Sequence, residues 1–538
     1  SAGNREAIAS RDGFREFLLA LLVVEALILR GTVLFISLLI PLWIWGPVSD
    51  ARAVEVAPSD ASSNASSMAK RLDRLIARKP LANASVGMLV VRASDGATVY
   101  SRGADRPMIP ASNQKILTSI ASLSRFGPSH RFATRIWSNA VPDTDGLVDQ
   151  LLVEGGGDPA MNSEDWWRLA ADLRSEGLRG VRGNLWVDDS RFEAPGWHSS
   201  WGRISARAYH APVGALTANY GTFFVSIWPR TTEGASVLVD IDPPVDYLRV
   251  ESHARTAGRK ARRRLSVDRA KSSGPNALSE EVIRVDGIAR VGDGVDRFPR
   301  SVLDPGLYAG SLLSHQLGAN GVVVEGNVLR GTRADTNGGS WVSIMDRPGR
   351  AVSEVVALCM KYSNNSIAES LVKNLGAWEG AALDSDPARQ GDWTSGIKAM
   401  RAQLGAVGVN LGDANLVDGS GLSVQNRITP RAFVNALTVA RESFQFGPEF
   451  VAAMPIAEVD GTLEKRMRGS KGRVRAKTGL LSDAKVTALS GYAERADGEV
   501  LIFSILVNGH SGGSAGAMDA VDTLAATLLN SSIGASAN

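Results

Sequence analysis

Cysteine is almost absent from this chain, which has a single one, Cys359, among 538 residues. One cysteine excludes a disulfide within the chain, and its place in an apolar segment predicts a small core residue. Histidine is also scarce: the six histidines form neither an H-E-x-x-H motif nor another metal-ligand spacing. The sequence therefore predicts neither a metal site nor a cofactor.

An excess of one charge is missing too. The net charge of +3 is small for this length, so nucleic-acid binding has no support. The basic run at residues 255–264 is of a kind that is usually a solvated loop, and contact with an anionic wall or lipid surface is the alternative. A hydrophobic fraction of 44% is that of a globular chain, long enough for two or three domains.

The N-terminal segment has a basic start and a long apolar stretch at residues 17–46, followed by Ala51-Arg52-Ala53. This order predicts that residues 1–53 are an export signal cut after Ala53. The stretch is also long enough for an uncut anchor in the inner membrane, and both interpretations remain open. In either case we expect a polar linker at residues 54–67 and a periplasmic location for the remainder of the chain.

The rest of the chain changes character twice. A β-hairpin pattern at residues 86–101 precedes a helical pattern that begins near Ser112. Residues 129–339 then contain short β-like runs separated by Gly, Pro and Asp turns. Helical patterns return after residue 340, and an antiparallel β pattern and a last helix close the chain. Together these patterns predict an α+β protein.

S-x-x-K motifs begin at five serines, and one such motif alone is usually a solvated helix surface; they are Ser67, Ser112, Ser370, Ser395 and Ser482. Downstream, Ser363-Asn364-Asn365 forms an S-x-N between two predicted helices, and Lys477-Thr478-Gly479 forms a K-T-G at the end of a predicted strand. S-x-x-K, S-x-N and K-T-G in this order are the signature of penicillin-binding proteins and serine β-lactamases. The motifs at Ser370, Ser395 and Ser482 follow the S-x-N and therefore come too late, and the one at Ser67 lacks the upstream hairpin. Ser112 fits both the order and the context.

The first two motifs suit acyl transfer. A hydroxyl and an amine on one helix face, near the positive end of the helix dipole, predict Ser112 as nucleophile and Lys115 as its base. Lys115 must be neutral part of the time, and burial beside a second cation, Lys477, would lower its pKa. Ser363 can relay a proton to the leaving nitrogen, and the amide of Asn365 can hold both the substrate and the lysine.

The third motif suits substrate binding. Lys477 and Thr478 offer a charge and a hydroxyl donor for a substrate carboxylate. Gly479 is expected to leave room for the substrate along the strand edge. The backbone N–H groups of Ser112 and Leu480 are expected to stabilise the oxyanion.

In these motifs the chain resembles the D-alanyl-D-alanine carboxypeptidases/endopeptidases of the penicillin-binding protein 4 (DacB) type. About 250 residues separate Ser112 from Ser363, which resembles the large insert of that group. The segment Leu416–Ser423 is similar to its D-G-S-G-L-S segment, and Val153–Pro159 to a glycine-rich turn near the start of the insert. A further stretch at Asp304–Gly310 is similar to one near the end of the insert.

The resemblance covers residues 68–529 and implies a fold as well as an activity. It implies a transpeptidase/serine β-lactamase-like domain, an antiparallel sheet flanked by helices, at residues 68–128 and 340–538. The β-rich residues 129–339 would be an insertion of two subdomains. The implied activity is hydrolysis of the terminal D-Ala–D-Ala bond of peptidoglycan stem peptides, and of the crosslink to diaminopimelate. The resemblance also implies that β-lactams acylate Ser112.

Recognition of diaminopimelate is where the chain departs from the family. An insert aspartate in a V-D-x-S-x-F context can face the diaminopimelate side chain there, which makes Asp188 and Phe192 candidates; a turn aspartate and a core phenylalanine are the alternative. Relatives often have arginine where this chain has Val424, for which Arg427 is a candidate replacement. Some relatives have glutamine where Ser482 stands here. How the crosslink is recognised therefore stays open.

Two other functions remain alternatives. A β-lactamase on the same core needs a deacylating carboxylate, such as a Glu-x-x-Leu-Asn loop, and none is found in a suitable place between Ser112 and Ser363. A catalytically inactive wall-binding or penicillin-sensing protein is the second alternative. The intact catalytic set argues against it.

Overall fold

The computed structural model of the chain describes residues 60–271, 280–335, 340–378 and 390–530, with side chains described from residue 67 onward. The predicted signal or anchor at residues 1–53 lies outside the described residues. The predicted linker at 54–67 is wrong from Asp60 onward, because a helix begins there. Alanines at 61 and 65 favour that helix. Within the described ranges, no helix is long and apolar enough to cross a membrane.

Strands and helices are numbered separately in chain order. The strands are β1 Ser85–Arg92, β2 Thr98–Arg102, β3 Arg131–Ser138, β4 Leu147–Val148, β5 Leu151–Glu154, β6 Gly180–Val181, β7 Leu185–Asp188, β8 Thr222–Trp228, β9 Leu238–Asp242, β10 Leu248–Ser252, β11 Arg255–Ala257, β12 Arg264–Lys271, β13 Glu281–Arg290, β14 Asp296–Ser301, β15 Val323–Val324, β16 Val328–Arg330, β17 Val342–Ala351, β18 Val474–Leu481, β19 Val486–Glu494 and β20 Val500–Asn508. The helices are α1 Asp60–Ile76, α2 Gln114–Phe126, α3 Ser163–Ser175, α4 Pro305–Ala319, α5 Val352–Tyr362, α6 Asn365–Trp378, α7 Trp393–Ala406, α8 Pro430–Glu442, α9 Gly447–Ala453 and α10 Ser514–Thr527.

The central sheet is antiparallel, in the order β18–β19–β20–β1–β2. Alternate residues of β1 face opposite sides: Met88 and Val90 pack in the core with α1 and α10, whereas Leu89 packs in the core with α2 and α8. Helices thus cover both faces, which explains why β1 and β20 are apolar almost throughout. The predicted α+β fold, an antiparallel sheet flanked by helices, is confirmed.

The β-rich region between α2 and α5 has sheets and a core of its own. The chain enters it through β3 and leaves it through β17, and these strands pair antiparallel, from Arg131 beside Ala351 to Ser138 beside Val342. The predicted boundary at residue 339 cuts off β17 from its partner. We therefore propose that the insertion ends near Ala351. The division into two subdomains stays a prediction.

Helix α6 is where the β-rich region docks. Its side chains donate hydrogen bonds to three backbone carbonyls of that region: Asn365 to Tyr209 at 2.9 Å, Lys373 to Glu193 at 2.5 Å, and Asn374 to Gly157 at 2.8 Å. Gly157 lies in the glycine-rich turn, where a Cβ would come 2.3 Å from the Asn374 side chain. The helix that begins with the S-x-N asparagine therefore also holds the inserted region.

Candidate active site

Ser112 lies in a single 3₁₀ turn, Ala111–Asn113, that leads directly into α2. Ala111 has φ +47°, an uncommon conformation for a residue with a Cβ. Asn113 is buried and donates to Ser490 Oγ of β19 at 2.6 Å, which ties the turn to the sheet. Ser112 itself is partly exposed. The predicted position at a helix start is thus confirmed.

Lys115 is fully buried and lies one turn after Ser112. Its Nζ donates to Ser112 Oγ at 3.0 Å, to Asn365 Oδ1 at 2.7 Å and to the Ser420 carbonyl at 2.8 Å. Burial lowers the pKa of Lys115 to about 8, while nearby Glu369 acts in the opposite direction. An amine with this pKa is neutral often enough near neutral pH to accept a proton.

The S-x-N motif connects α5 to α6, as predicted. Ser363 ends α5 in the left-handed conformation, with φ +56°, and its Oγ accepts from Lys477 Nζ at 2.8 Å. Asn365 is the first residue of α6. Its Oδ1 accepts from Lys115 Nζ, and its Nδ2 donates to the Tyr209 carbonyl. The motif therefore contacts both lysines of the site.

The K-T-G motif lies inside β18, not at the end of a strand as predicted. The strand continues to Leu481 because its last residues pair with the start of β19 in a hairpin. Lys477 is fully buried, and its Nζ also donates to the Thr478 carbonyl at 2.8 Å. Burial and then Lys115 lower the pKa of Lys477 well below its ordinary value.

The outer edge of β18 has backbone groups for a substrate. The amide of Ala476 donates to the Pro455 carbonyl, on the side away from β19. Backbone groups alternate in direction along a strand, so those of Thr478 and Leu480 face the same outer side. The Leu480 N–H is therefore directed as the predicted oxyanion hole requires, and the Thr478 hydroxyl contacts Thr462 at 2.9 Å.

The structure explains the requirement for glycine at position 479 differently from the prediction. A Cβ at this position would lie 2.9 Å from the Pro110 carbonyl oxygen and 3.2 Å from the Ala111 Cβ. Those atoms belong to the segment that leads into the nucleophile turn. The missing side chain therefore lets β18 pack directly against the turn of Ser112.

The site includes residues for which the sequence predicted no role. The D-G-S-G-L-S segment runs beside α2, and a Cβ on Gly421 would come 1.8 Å from the Ala111 carbonyl. Its Ser420 carbonyl is the third acceptor of Lys115, and the carboxylate of the buried Glu369 on α6 accepts from the backbone amides of this segment.

Tyr209, with a half-exposed ring, lies beside Asn365. The similarity of the segment was a signal for Ser420; no motif marks Glu369 or Tyr209.

Asp188 has no described contact with this site, and Phe192 is connected to it only indirectly, through Trp393 and Lys373. Asp188 is buried at the end of β7, and its carboxylate accepts from the Ser190 amide at 3.0 Å. Phe192 packs in a small cluster with Val213 and Ala215. These contacts match a turn aspartate and a core phenylalanine, so a role toward diaminopimelate stays a prediction.

The residues discussed as departures lie at the surface. Val424 is exposed, and the Arg427 guanidinium donates to the carbonyls of Val424 and Asn426 at 2.6 and 2.8 Å. Ser482 is exposed and contacts Ser514. In the part of the chain that the structure describes, no group of three or more His, Cys, Asp or Glu side chains has a metal-binding arrangement.

Comparison with known proteins finds relatives of this chain in sequence and in fold. The model of the D-Ala-D-Ala carboxypeptidase 3 (S13) family matches residues 68–528. A D-alanyl-D-alanine carboxypeptidase of Actinomadura sp. (strain R39) is 34% identical over 456 residues, covering 82% of this chain and 81% of the relative. The crystal structure of penicillin binding protein 4 (dacB) from Haemophilus influenzae has a TM-score of 0.70 at 22% identity, and covers 85% of this chain and 98% of that one. The chain therefore belongs to the D-Ala-D-Ala carboxypeptidase 3 (S13) family.

Proposed function

We propose that this family member is a serine D-Ala-D-Ala carboxypeptidase that acts on peptidoglycan stem peptides through an acyl-enzyme on Ser112. The observation that carries the proposal is the fully buried Lys115, whose Nζ lies 3.0 Å from Ser112 Oγ. Burial favours the neutral amine, which is the form that can take the serine proton. Membership of a carboxypeptidase family supports this reaction over β-lactam hydrolysis or an inactive binding role.

Acylation proceeds as Ser112 Oγ attacks the carbonyl carbon of the penultimate D-alanine and Lys115 takes the hydroxyl proton. The N–H groups of Ser112 and Leu480 stabilise the tetrahedral oxyanion. Ser363, hydrogen-bonded to Lys477, gives its proton to the leaving nitrogen and receives in exchange the proton that Lys115 took from Ser112, so D-alanine departs and Lys115 is neutral again. Water then attacks the ester, Lys115 serves again as base, and the shortened peptide leaves.

Substrate binding is assigned to the edge of β18. Lys477 and Thr478 bind the terminal carboxylate, and the outward backbone groups of the strand add the peptide as a further strand. β-Lactams acylate the same serine in this proposal; a Haemophilus influenzae penicillin binding protein 4 has been solved in complex with a β-lactam. We further propose endopeptidase activity on crosslinked peptides and a periplasmic location. Inner-membrane association through residues 17–46 belongs to this proposal as well.

The test is D-alanine release from a stem pentapeptide by the purified protein. Wild type should release D-alanine, Ser112→Ala should release none, and Ser67→Ala, from another S-x-x-K, should behave as wild type. Penicillin labelling without D-alanine release would support the penicillin-sensing alternative instead. Rapid multiple turnover of nitrocefin would support the β-lactamase. Product analysis of digested crosslinked muropeptides tests the endopeptidase activity.

A further inference from the structure

A buried carboxylate that the mechanism above leaves without a role lies next to the site. Glu369 is fully buried on α6, one turn after Asn365. Its carboxylate accepts from the Ser420 amide at 2.7 Å, the Gly419 amide at 3.0 Å and the Trp393 indole Nε1 at 2.9 Å. A buried carboxylate with three donors is held in one orientation, and it holds its partners equally well.

Two of these partners are the amides that precede the Ser420 carbonyl. That carbonyl accepts from Lys115 Nζ at 2.8 Å. The amide across the same peptide plane, that of Gly421, donates to Asp418 at 2.8 Å. Glu369 thus fixes the backbone on one side of the Ser420 carbonyl, and Asp418 fixes it on the other. The direction in which Lys115 is held follows from both.

We propose that Glu369 is a positioning residue for the base: it fixes the Gly419–Ser420 backbone so that Lys115 Nζ points at Ser112. The proposal rests on the function assigned to Ser112 and Lys115 above. Glu369 touches neither substrate nor reacting atoms and acts through Ser420.

The negative charge of Glu369 favours the ammonium form of Lys115 and so raises the pKa of Lys115. Lys115 faces Cys359 on α5, Glu369 on α6, Asp418 in the loop and Lys477 on β18. Burial, and after it Asp418, raises the pKa of Glu369 to about 7, near that of Lys115.

Lys373 also interacts electrostatically with Glu369, and its Nζ lies 4.0 Å from the centroid of the Trp393 ring. The same lysine donates to the Glu193 carbonyl of the inserted region. Lys373 is therefore a neighbour of both the inserted region and Glu369.

The first test compares wild type with Glu369→Gln by carbon-13 NMR of labelled lysine side chains, with the Lys115 signal assigned from Lys115→Arg. Removing a negative charge disfavours the ammonium form, so the Lys115 midpoint should fall by roughly one pH unit. The acid limb of the penicillin acylation profile should move by the same amount. The maximal rate of acylation at high pH should fall at least about tenfold. The two backbone amides donate to different oxygens of the Glu369 carboxylate, and a glutamine side chain has only one oxygen with which to replace them.

A second variant and a control complete the design. Trp393→Phe removes one donor and keeps the carboxylate, so it should shift the midpoint in the same direction by less. Glu442→Gln, at an exposed position ending α8, removes the same charge and should shift nothing.

An unchanged Lys115 midpoint in Glu369→Gln, or in Trp393→Phe if the first variant does not fold, would overturn the proposal, since a merely structural role lowers stability without moving this titration. The titration does not require Ser112 to be the nucleophile. Failure of the proposed function would appear separately, as penicillin labelling that survives Ser112→Ala.

Discussion

Replacing Gly479 with alanine tests how closely β18 must approach the nucleophile turn. The added Cβ would lie 2.9 Å from the Pro110 carbonyl oxygen and 3.1 Å from the Ala488 Cβ. Ordinary contact begins at 3.4 Å, so the strand and the turn must separate by about 0.5 Å. Both neighbours are rigidly placed, one by backbone and one by the sheet. The separation therefore acts directly on the distance between Ser112 and the strand edge.

The expected loss follows from that displacement. A misplacement of about 1 Å costs on the order of 100-fold in rate, so about 0.5 Å should slow acylation roughly tenfold, or about 1.4 kcal/mol. Overpacking should also lower the free energy of unfolding by about 1–3 kcal/mol. The assay is the rate of labelling by a fluorescent penicillin, with thermal unfolding measured in parallel.

Gly516→Ala is the matched control. This glycine lies in α10, and a Cβ added there would have no described atom within 4 Å, so the substitution should stabilise the helix by up to about 1 kcal/mol and leave acylation unchanged. An acylation rate for Gly479→Ala equal to that of wild type would refute the reasoning, because it would mean that the contact with Pro110 does not determine the geometry of the site.

Three further predictions concern charge. Acylation should rise with pH through a midpoint near 8, because Lys115 acts as the neutral amine; a flat profile from pH 6 to 9 would contradict its role. Lys477→Ala should weaken binding of a pentapeptide by about 2–4 kcal/mol and leave binding of the same peptide with a C-terminal amide unchanged. Lys398→Ala, at an exposed position, should change the binding of neither peptide. Equal losses for both peptides in Lys477→Ala would exclude a carboxylate contact. Burial raises the pKa of Asp158 from 3.8 to about 6, so the stability it contributes is full below pH 4 and falls by about 3 kcal/mol as pH rises through 6. The fall in unfolding free energy between pH 4 and 7 should be about 3 kcal/mol larger in wild type than in Asp158→Asn, because Glu281 and Glu369, whose pKa burial also raises, contribute to both proteins alike.

Local pattern was sufficient for much of the site. Ser112 and Lys115 are one helical turn apart, so their contact follows from spacing alone. Ser363 and Lys477 are far apart in sequence, and only the order of their motifs indicated that they meet. The hairpin before Ser112 supplied the context that separated this motif from the one at Ser67.

Long-range packing accounts for the features that local pattern did not predict. Glu369 reaches Ser420 across 51 residues and Trp393 across 24, without any periodic signal. The sequence predicted that the missing side chain of Gly479 makes room for the substrate, because no local pattern indicates that Pro110 lies beside it. The sequence did not predict that a helix starts at Asp60, because the polar composition there is typical of a loop. It did not predict that β17 pairs with β3, because the two strands are far apart in the chain.

The central claim is that Ser112 carries the acyl group. Its most direct test is to acylate the wild-type protein with penicillin, digest it and locate the adduct by mass spectrometry. The account predicts one penicilloyl group, on the peptide that contains Ser112, and none on this peptide in Ser112→Ala. An adduct on another serine, or no adduct in a folded wild-type protein, would contradict it.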